Sequence, residues 1–401
     1  MLIKLYNIGQ LVSYNTMKNN MELLEGVEIL VKNGIIEDIG NSLNAADMSI
    51  DCNNMLVSPG FVDPHTHPVF YRNRCEEFIM RTGGETYEQI AAKGGGIKKS
   101  VKDLRNTNEE ELYKVVKNRM DRFLAFGTTT VECKSGYGLD IESELKSLKV
   151  IHDVNQIHDI DMVATFMGAH GFPEEFNNER DKYVDLVCDE MIPEVAKQGV
   201  AVFNDVFCEK NYFNLKQAER ILEVGKKYGL YPRLHADEFH DLGGAKLAAN
   251  VNCISADHLM EISDEGVFEL SKNKVIATLL PGTTFFLGKS KYAPFNKLKD
   301  AGVDVALATD YNSGSCSIQS MPFIISLACI YFNMSVLDAF KATTYISART
   351  LMLEDKIGSI EKGKNADIII WNVDNINEIP YRVDSHPIQK VLKNGKPVIT
   401  A

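Results

Sequence analysis

The chain has 401 residues, of which 45% are hydrophobic and 24% are charged, the balance of a folded protein with a sizeable core. This length exceeds that of a usual compact domain, so we expect one large and one small domain. The formal net charge of −12 argues against nucleic acid and membranes as partners, because both require a basic surface. No stretch approaches the roughly 18 uninterrupted apolar residues of a membrane span.

The cysteines and the N-terminus indicate a cytoplasmic protein. Eight cysteines are scattered along the chain without any Cys-x-x-Cys pair, so neither a disulfide framework nor a structural zinc site is predicted. The first residues reach polar positions within a dozen steps and lack the long apolar core of a secretion signal. We therefore expect reduced thiols and a cytoplasmic location.

The first 56 residues show short alternating strands separated by turns. Residues 27–32 and 35–39 flank Asn33-Gly34, a dipeptide typical of hairpin turns. This pattern predicts antiparallel strands and does not continue into the next part of the chain.

From about residue 57 to residue 350, short apolar runs alternate with longer amphipathic segments. This alternation predicts a parallel α/β architecture, and eight runs are the number that closes a (β/α)₈ barrel. The amphipathic segments at 109–126, 142–157, 182–198 and 215–228 are long enough for the outer helices. The eight runs cover residues 56–63, 128–133, 162–168, 201–208, 232–236, 252–256, 275–280 and 303–309.

The C-terminal residues return to the short-strand pattern, with runs at 366–372 and 388–398 and a second hairpin dipeptide, Asn394-Gly395. The simplest arrangement is a small β-sandwich domain built from both termini, residues 1–56 and 357–401. Residues 57–356 then form the barrel. The predicted fold class is therefore α/β, a TIM-like barrel with a small β domain.

Polar residues stand where the apolar runs of the barrel stop, the position at which barrels of this kind carry their active sites. His65 and His67 follow the first run, and their two-residue spacing points both side chains the same way. The later runs end in His170, in the segment from His235 to Glu238, in Asp257-His258 and in the segment from Asp310 to Gly314.

Four of these side chains form a set suited to a metal ion. His65, His67, His235 and Asp310 supply three imidazoles and one carboxylate, which suit zinc or iron and leave a position for water. Such an ion makes hydroxide available at neutral pH and favours attack on a carbonyl or amidine carbon. We expect one zinc or iron ion per subunit, and the ligand set accepts either metal.

The motifs that carry this set resemble those of the amidohydrolase superfamily, in its branch with one metal ion. They are PGFVDPHTH at residues 59–67, LHADE at 234–238, ATDYN at 308–312 and IGSIEKGKNAD at 357–367. The resemblance covers essentially the whole chain and implies the barrel, the small β domain, the metal centre and a homodimer.

Further stretches are similar to the members of the superfamily that act in histidine degradation. These members open the ring of 4-imidazolone-5-propanoate to give N-formimidoyl-L-glutamate, and the resemblance implies this activity here. The stretches are FIMRTGG at residues 78–84, YEQIA at 87–91, GGGI at 94–97 and ECKSGYGL at 132–139.

The resemblance also implies roles for individual residues. Arg74 would hold the propanoate carboxylate, since a guanidinium binds a carboxylate in two places. Glu238 would bind substrate and shuttle protons, and His258 and Asp310 are further candidates for the general base. The remaining residues implied to contact the small-molecule substrate or product are Tyr137, His170, Asn312, Gly314 and Ser315.

Two other functions remain open at this stage. A related deaminase of guanine or another heterocycle would use the same metal ligands and Glu238, but a neutral purine offers no carboxylate to Arg74. A non-catalytic scaffold on the same barrel is disfavoured because the ligand set is complete.

Overall fold

A computed structural model of the chain describes residues 1–85, 89–90 and 93–400. Three residues of the stretch at 87–91 quoted above, Tyr87, Glu88 and Ala91, lie outside this description. The first seven strands belong to two sheets of the terminal region. They are β1 (Leu2–Tyr6), β2 (Gln10–Asn15), β3 (Asn20–Leu24), β4 (Glu28–Lys32), β5 (Ile35–Gly40), β6 (Met48–Asp51) and β7 (Leu56–Pro59).

The next eight strands pair in parallel, each with its neighbour in sequence, which is the topology of a (β/α)₈ barrel. The first and last strands meet through backbone bonds beyond their ends, from Asp310 N to His65 O (3.1 Å) and from His67 N to Tyr311 O (2.8 Å). The strands are β8 (Phe61–Asp63), β9 (Thr128–Lys134), β10 (Asp161–Ala169), β11 (Phe203–Cys208), β12 (Tyr231–Ala236), β13 (Ser255–His258), β14 (Ile276–Leu279) and β15 (Val305–Leu307).

Amphipathic helices cover the barrel, and side-chain caps mark the starts of several of them. Asn108, Asp140 and Asn214 accept hydrogen bonds from backbone N–H groups in the first turns of their helices, which offsets the unpaired donors there. The helices in chain order are α1 (Cys75–Thr82), α2 (Ile97–Arg105), α3 (Glu109–Ala125), α4 (Ile141–Asn155), α5 (Arg180–Leu186), α6 (Ile192–Gln198), α7 (Leu215–Lys227), α8 (Gly244–Asn250), α9 (Asp264–Asn273), α10 (Pro281–Phe286), α11 (Phe295–Asp300), α12 (Met321–Tyr331), α13 (Val336–Thr343), α14 (Tyr345–Thr350) and α15 (Glu378–Tyr381).

Short turns complete the helical segments. A 3₁₀ turn, Glu174–Phe176, follows β10, and a π turn, Val187–Met191, joins α5 to α6. No helix within the described residues is both long and apolar enough to cross a membrane.

The last strands, β16 (Ile368–Trp371), β17 (Ile388–Lys393) and β18 (Lys396–Thr400), return to the terminal region. They pair with β7, β2 and β3 in a six-stranded sheet, while β5, β4, β1 and β6 form a four-stranded sheet. Buried apolar residues of both sheets form one cluster, so the sheets pack face to face. The predicted barrel with a small β domain from both termini is confirmed.

The first predicted run, residues 56–63, is divided between two sheets. Leu56–Pro59 pairs with β2 and β16 in the terminal sheet, whereas Phe61–Asp63 pairs with β9 in the barrel. Gly60 lies between them, and a Cβ there would come within 2.3 Å of the Thr129 hydroxyl. The chain therefore passes from one sheet to the other without a break in its apolar pattern, which is why the sequence predicted a single strand.

Candidate metal centre and active site

Three imidazoles and one carboxylate meet at the carboxyl ends of β8, β12 and β15. The Nε2 atoms of His65 and His67 are 3.3 Å apart, as are those of His67 and His235. Asp310 Oδ1 lies 3.7 Å from His65 Nε2 and 3.5 Å from His67 Nε2. Donor atoms about 2.1 Å from one tetrahedral ion lie at about this separation from each other. Within the described residues, His65, His67 and Asp310 form one group that could hold a metal ion, and His65 and His235 belong to a second such group together with His258.

Hydrogen bonds on the far side of the ligands direct these atoms toward a common point. His65 Nδ1 contacts Asp257 Oδ2 at 2.7 Å, and His235 Nδ1 contacts Asp205 Oδ1 at 3.0 Å. The neutral imidazole that donates from Nδ1 keeps its Nε2 lone pair for a metal ion. In the same way, the Thr283 hydroxyl donates to Asp310 Oδ2 and leaves Oδ1 facing the histidines.

Burial adjusts the protonation of these groups in favour of metal binding. Burial, with neighbouring positive charges, holds the pKa of His65 and of His67 well below the ordinary value, so both imidazoles are neutral. Burial also raises the pKa of Asp310 to about 6. A cation beside this carboxylate would favour its charged form and oppose that shift.

Glu238 and His258 lie beside the four-residue cluster. Burial, reinforced by the charge of Asp310, raises the pKa of Glu238 well above its ordinary range, so its carboxyl group retains a proton. Burial lowers the pKa of His258 well below its ordinary value. Glu238 Oε1 is 3.7 Å from His258 Nδ1, and neither ring nitrogen of His258 has a hydrogen-bond partner in the described residues.

The backbone at these strand ends is strained. Asp237, His258 and Asp310 have φ angles of 49°, 80° and 54°, in the left-handed region that residues with a side chain rarely adopt. Strain of this kind persists where the surrounding structure holds it, and it is concentrated at functional sites. The backbone leaves the strand conformation at these three positions, which the alternating sequence pattern of a regular strand does not predict.

Arg74 approaches the cluster from the segment between β8 and α1. Its guanidinium atoms Nε and Nη1 are buried without a hydrogen-bond partner in the described part of the chain. The nearest carboxylate, Glu77, stays 3.7 Å from Nε, too far for a hydrogen bond. Burying a hydrogen-bond donor without a partner costs free energy. An anion bound by Arg74 would offset this cost.

Tyr137 and His170 lie between Arg74 and the histidine cluster. The His170 ring stacks on His67 with centroids 4.9 Å apart and contacts the Tyr137 ring at 5.1 Å. His170 Nδ1 bonds Gly136 O at 2.9 Å, and burial lowers the pKa of His170 to about 3. Burial raises the pKa of Tyr137, whose phenol therefore stays protonated as a donor.

The segment from Asn312 to Ser315 packs directly against Arg74. Asn312 Oδ1 accepts from the backbone N–H groups of Gly314 (2.8 Å) and Ser315 (2.7 Å), so its carbonyl oxygen closes the turn. The Gly314 Cα faces the guanidinium so closely that a Cβ would come within 1.9 Å of Arg74 Nη2. These contacts bring the four proposed ligands together with Glu238, His258, His170 and Tyr137, and they join Arg74 to the turn that contains Asn312, Gly314 and Ser315.

Several supporting residues were not assigned a role from the sequence. Asp205 and Thr283 were not singled out, and Asp257 was noted only beside His258 at its strand end. Arg81, which donates to Gly314 O at 3.2 Å from both Nη atoms, appeared in a motif without a role. A charged residue inside an apolar strand run, such as Asp205 within Phe203–Cys208, is a signal that could have revealed one of them.

A parallel barrel with a cluster of possible metal ligands at its carboxyl-end rim is the arrangement of a hydrolase of the amidohydrolase type. The model of the amidohydrolase family matches residues 234–398. Among solved structures, an adenosine deaminase from Xanthomonas campestris with bound zinc aligns with a TM-score of 0.74 at 17% identity, covering 100% of this chain and 92% of that chain. A triazine hydrolase from Arthobacter aurescens also gives a TM-score of 0.74, at 17% identity and over 100% and 95% of the two chains. At this identity the likeness shows the fold alone.

Relatives in sequence identify one family within this class of hydrolases. The imidazolonepropionase of Geobacillus kaustophilus is 44% identical over 391 residues, 95% of this chain and 92% of the relative. That of Alkaliphilus metalliredigens is 45% identical over 386 residues, 94% of this chain and 92% of the relative. The chain belongs to the imidazolonepropionase family. It is therefore a hydrolase that acts on carbon–nitrogen bonds, as the sequence analysis predicted.

Proposed function

We propose that the chain hydrolyses the cyclic amide bond of 4-imidazolone-5-propanoate and releases N-formimidoyl-L-glutamate, a step of histidine degradation. The observation that carries this proposal is the buried guanidinium of Arg74 beside the metal-ligand cluster, where two of its donor atoms have no hydrogen-bond partner among the described residues. A substrate with a carboxylate on a short chain satisfies these donors while its ring reaches the cluster.

We further propose that His65, His67, His235 and Asp310 hold one zinc or iron ion per subunit. Their donor separations and neutral imidazoles support this set. When bound, such an ion supplies Lewis acidity and lowers the pKa of water towards about 7. Three histidines and one carboxylate accept both metals, so the choice of ion is a matter for metal analysis.

The chain's own residues position the substrate. Arg74 binds the propanoate group through its planar guanidinium, and the turn that contains Asn312, Gly314 and Ser315 packs against that guanidinium and holds it in place. Tyr137 and His170 lie between Arg74 and the cluster, where a phenol and an imidazole donate hydrogen bonds to the ring. This placement fixes the ring relative to the reacting water.

Proton transfer falls to Glu238, His258 and Asp310. Glu238 is neutral and buried, so we assign it the proton that the departing ring nitrogen requires. His258 is neutral, and neither of its ring nitrogens bonds to any residue that the structure describes, so we assign it as the acceptor from the attacking water, assisted by Asp310. In the following turnover step the proton returns from His258 to Glu238, and the two groups lie 3.7 Å apart.

The test follows loss of the ultraviolet absorbance of freshly prepared 4-imidazolone-5-propanoate, with guanine as a parallel substrate. For Arg74→Met we expect KM to rise about 30-fold or more, because a buried charge-assisted pair with the carboxylate is lost. Arg72→Met is the matched control, since this arginine is exposed two positions earlier. We expect its KM to match that of the unmodified enzyme.

Two results would overturn the proposal. Release of ammonia from guanine, with the imidazolone left intact, would assign the chain to deamination. An unchanged KM for Arg74→Met would show that Arg74 does not bind the substrate carboxylate.

We also propose the domain division stated above, residues 57–356 for the barrel and residues 1–56 with 357–401 for the small domain. The chain passes from the small-domain sheet to the barrel at Gly60, between β7 and β8. A homodimer rests on the family resemblance. A cytoplasmic location is supported by eight cysteines that are all unpaired.

A further inference from the structure

A lysine lies buried beneath the metal-ligand cluster, at the end of β9. The Nζ atom of Lys134 is 2.8 Å from Glu132 Oε1 and 2.8 Å from Asp205 Oδ2, and all three side chains are fully buried. None of the three contributes a donor atom to the proposed ligand set. A buried cation between two carboxylates is costly to assemble, so its position calls for an explanation beyond stability.

The first partner, Glu132, leads to the two histidines of the first strand. Glu132 Oε2 accepts from the backbone N–H of Thr66 at 3.1 Å, and the Thr66 hydroxyl donates to Glu132 O. The backbone N–H of Lys134 in turn donates to Thr66 O at 3.0 Å. Thr66 separates His65 from His67, so these bonds hold the backbone that carries both imidazoles.

The second partner, Asp205, leads to the third histidine. Asp205 Oδ1 contacts His235 Nδ1 at 3.0 Å and accepts from His235 N at 3.2 Å. Its other oxygen, Oδ2, faces Lys134. One carboxylate oxygen of Asp205 thus faces the ammonium while the other is presented to the imidazole.

We propose that Lys134 is a positioning residue of the metal centre, because one ammonium connects β9 and β11 to all three histidine ligands. This inference rests on the proposed metal ligands. Lys134 makes no contact with the substrate in this proposal. Its effect reaches the ion through the direction in which the His65, His67 and His235 rings point.

The electrostatics of this group support the same role. Burial by itself would lower the pKa of Lys134, but the charges of Asp205 and Glu132 outweigh it and raise the pKa above the ordinary value. Lys134 is therefore a cation inside the barrel. Without it, two buried carboxylates would repel each other at the point where they hold the ligands.

A matched pair of variants separates this role from simple stabilisation. Lys393, on β17, is also a buried lysine between two carboxylates, with Nζ 2.6 Å from Asp161 Oδ2 and from Asp367 Oδ2. Its partners belong to the amino end of β10 and to the segment before β16, on the side of the small domain. Lys393→Met therefore removes a buried ammonium from between two carboxylates, one buried and one half-exposed, away from the metal centre.

The experiment measures the affinity of the metal-free protein for Co²⁺ by chelator competition, together with the visible absorption spectrum of the bound ion. For Lys134→Met we expect the dissociation constant to rise by about 10- to 100-fold and the spectrum to change. For Lys393→Met we expect a lower unfolding temperature with the affinity and spectrum of the unmodified protein.

The outcomes are distinguishable. A folded Lys134→Met protein with unchanged affinity and spectrum would overturn the role of Lys134 and leave the proposed metal centre intact, whereas failure of the unmodified protein to bind Co²⁺ would overturn the metal centre itself. If Lys134→Met does not fold, Asp205→Asn decides. This variant keeps an acceptor for His235 but breaks the ion pair, and unchanged affinity would likewise contradict the inference.

Discussion

At the scale of single residues, the position of Arg74 depends on the absence of a side chain at Gly314 as much as on the groups that are present. Gly314 lies against the guanidinium of Arg74, where even one added carbon would overlap Nη2. The backbone of Gly314 is also anchored, since its carbonyl accepts from Arg81. Arg74 must therefore move whenever a side chain is introduced at position 314.

This arrangement predicts the effect of Gly314→Ala. Gly314 lies outside the left-handed region, so alanine is compatible with its backbone, but the guanidinium has to leave its position. A displacement of about 1 Å at a binding group costs up to about 100-fold, and we expect a fall of this order in kcat/KM, mainly through KM. Steady-state kinetics with the imidazolone measure it.

Gly40→Ala is the control for this substitution. Gly40 lies in the small domain and its nearest potential contact, Leu43 Cδ2, would be 3.5 Å from the new Cβ. We expect unchanged kinetics for Gly40→Ala. Equal KM values for the two variants would show that Arg74 does not bind substrate at the place described.

At the scale of elements, the loop between β9 and α4 is organised by a helix that lies outside the pocket. Glu144, in the first turn of α4, is fully buried and accepts from the backbone N–H groups of Gly136 (3.0 Å), Gly138 (2.8 Å) and Leu139 (2.9 Å). The residues that donate these bonds lie on both sides of Tyr137 in the sequence. The position of the Tyr137 phenol is therefore set by a carboxylate on the following helix.

Glu144→Gln should loosen this loop. Glutamine has one acceptor oxygen, and its amide group would face N–H donors, so the loss is about 1–3 kcal/mol. We expect a lower unfolding temperature together with a higher KM for the imidazolone. Calorimetry and steady-state kinetics measure the two effects.

Glu142→Gln provides the comparison within the same helical turn, because Glu142 is exposed. We expect neither its unfolding temperature nor its KM to change. A Glu144→Gln enzyme as stable and as active as the Glu142→Gln enzyme would argue against control of the loop by α4.

At the scale of the whole molecule, the proposed metal ligands come from strands that are distant in sequence. His65 and His67 follow β8, His235 lies in β12 and Asp310 follows β15, so one ion would connect the first, fifth and last strands of the barrel. The backbone bonds that join the first strand to the last involve His65, His67 and Asp310 themselves. We therefore expect metal binding and closure of the barrel to be coupled.

Removal of the metal should destabilise the fold. A ligand that binds only the folded state adds about 2.7 kcal/mol when its free concentration is about 100 times its dissociation constant. We expect chelation to lower the unfolding temperature by several degrees and zinc or iron to restore it. In His67→Ala, which lacks one ligand, the response should be much smaller. An unfolding temperature insensitive to chelation in the unmodified protein, after metal loss is verified, would contradict this coupling.

Much of the fold and of the candidate site could be predicted from the sequence because their signals are local. The alternation of apolar runs and amphipathic segments indicates a parallel barrel, and the confirmed fold follows from that periodicity. The two-residue spacing of His65 and His67 places both rings on one side of a strand, and motif resemblance led to the family. The individual site roles remain predictions that the structure makes geometrically reasonable.

Only the tertiary structure decided the contacts between strands that are separated by many residues. The passage of residues 56–63 through two sheets depends on pairing partners near both ends of the chain, which an apolar run does not specify. Asp205 and Thr283 look like ordinary polar residues until the closed sheet brings them to His235 and Asp310, and Lys134 meets Asp205 of β11 in the same way. Sequence periodicity specifies the face of a strand on which a side chain lies. The distance between side chains on different strands is fixed only when the sheet closes into a barrel.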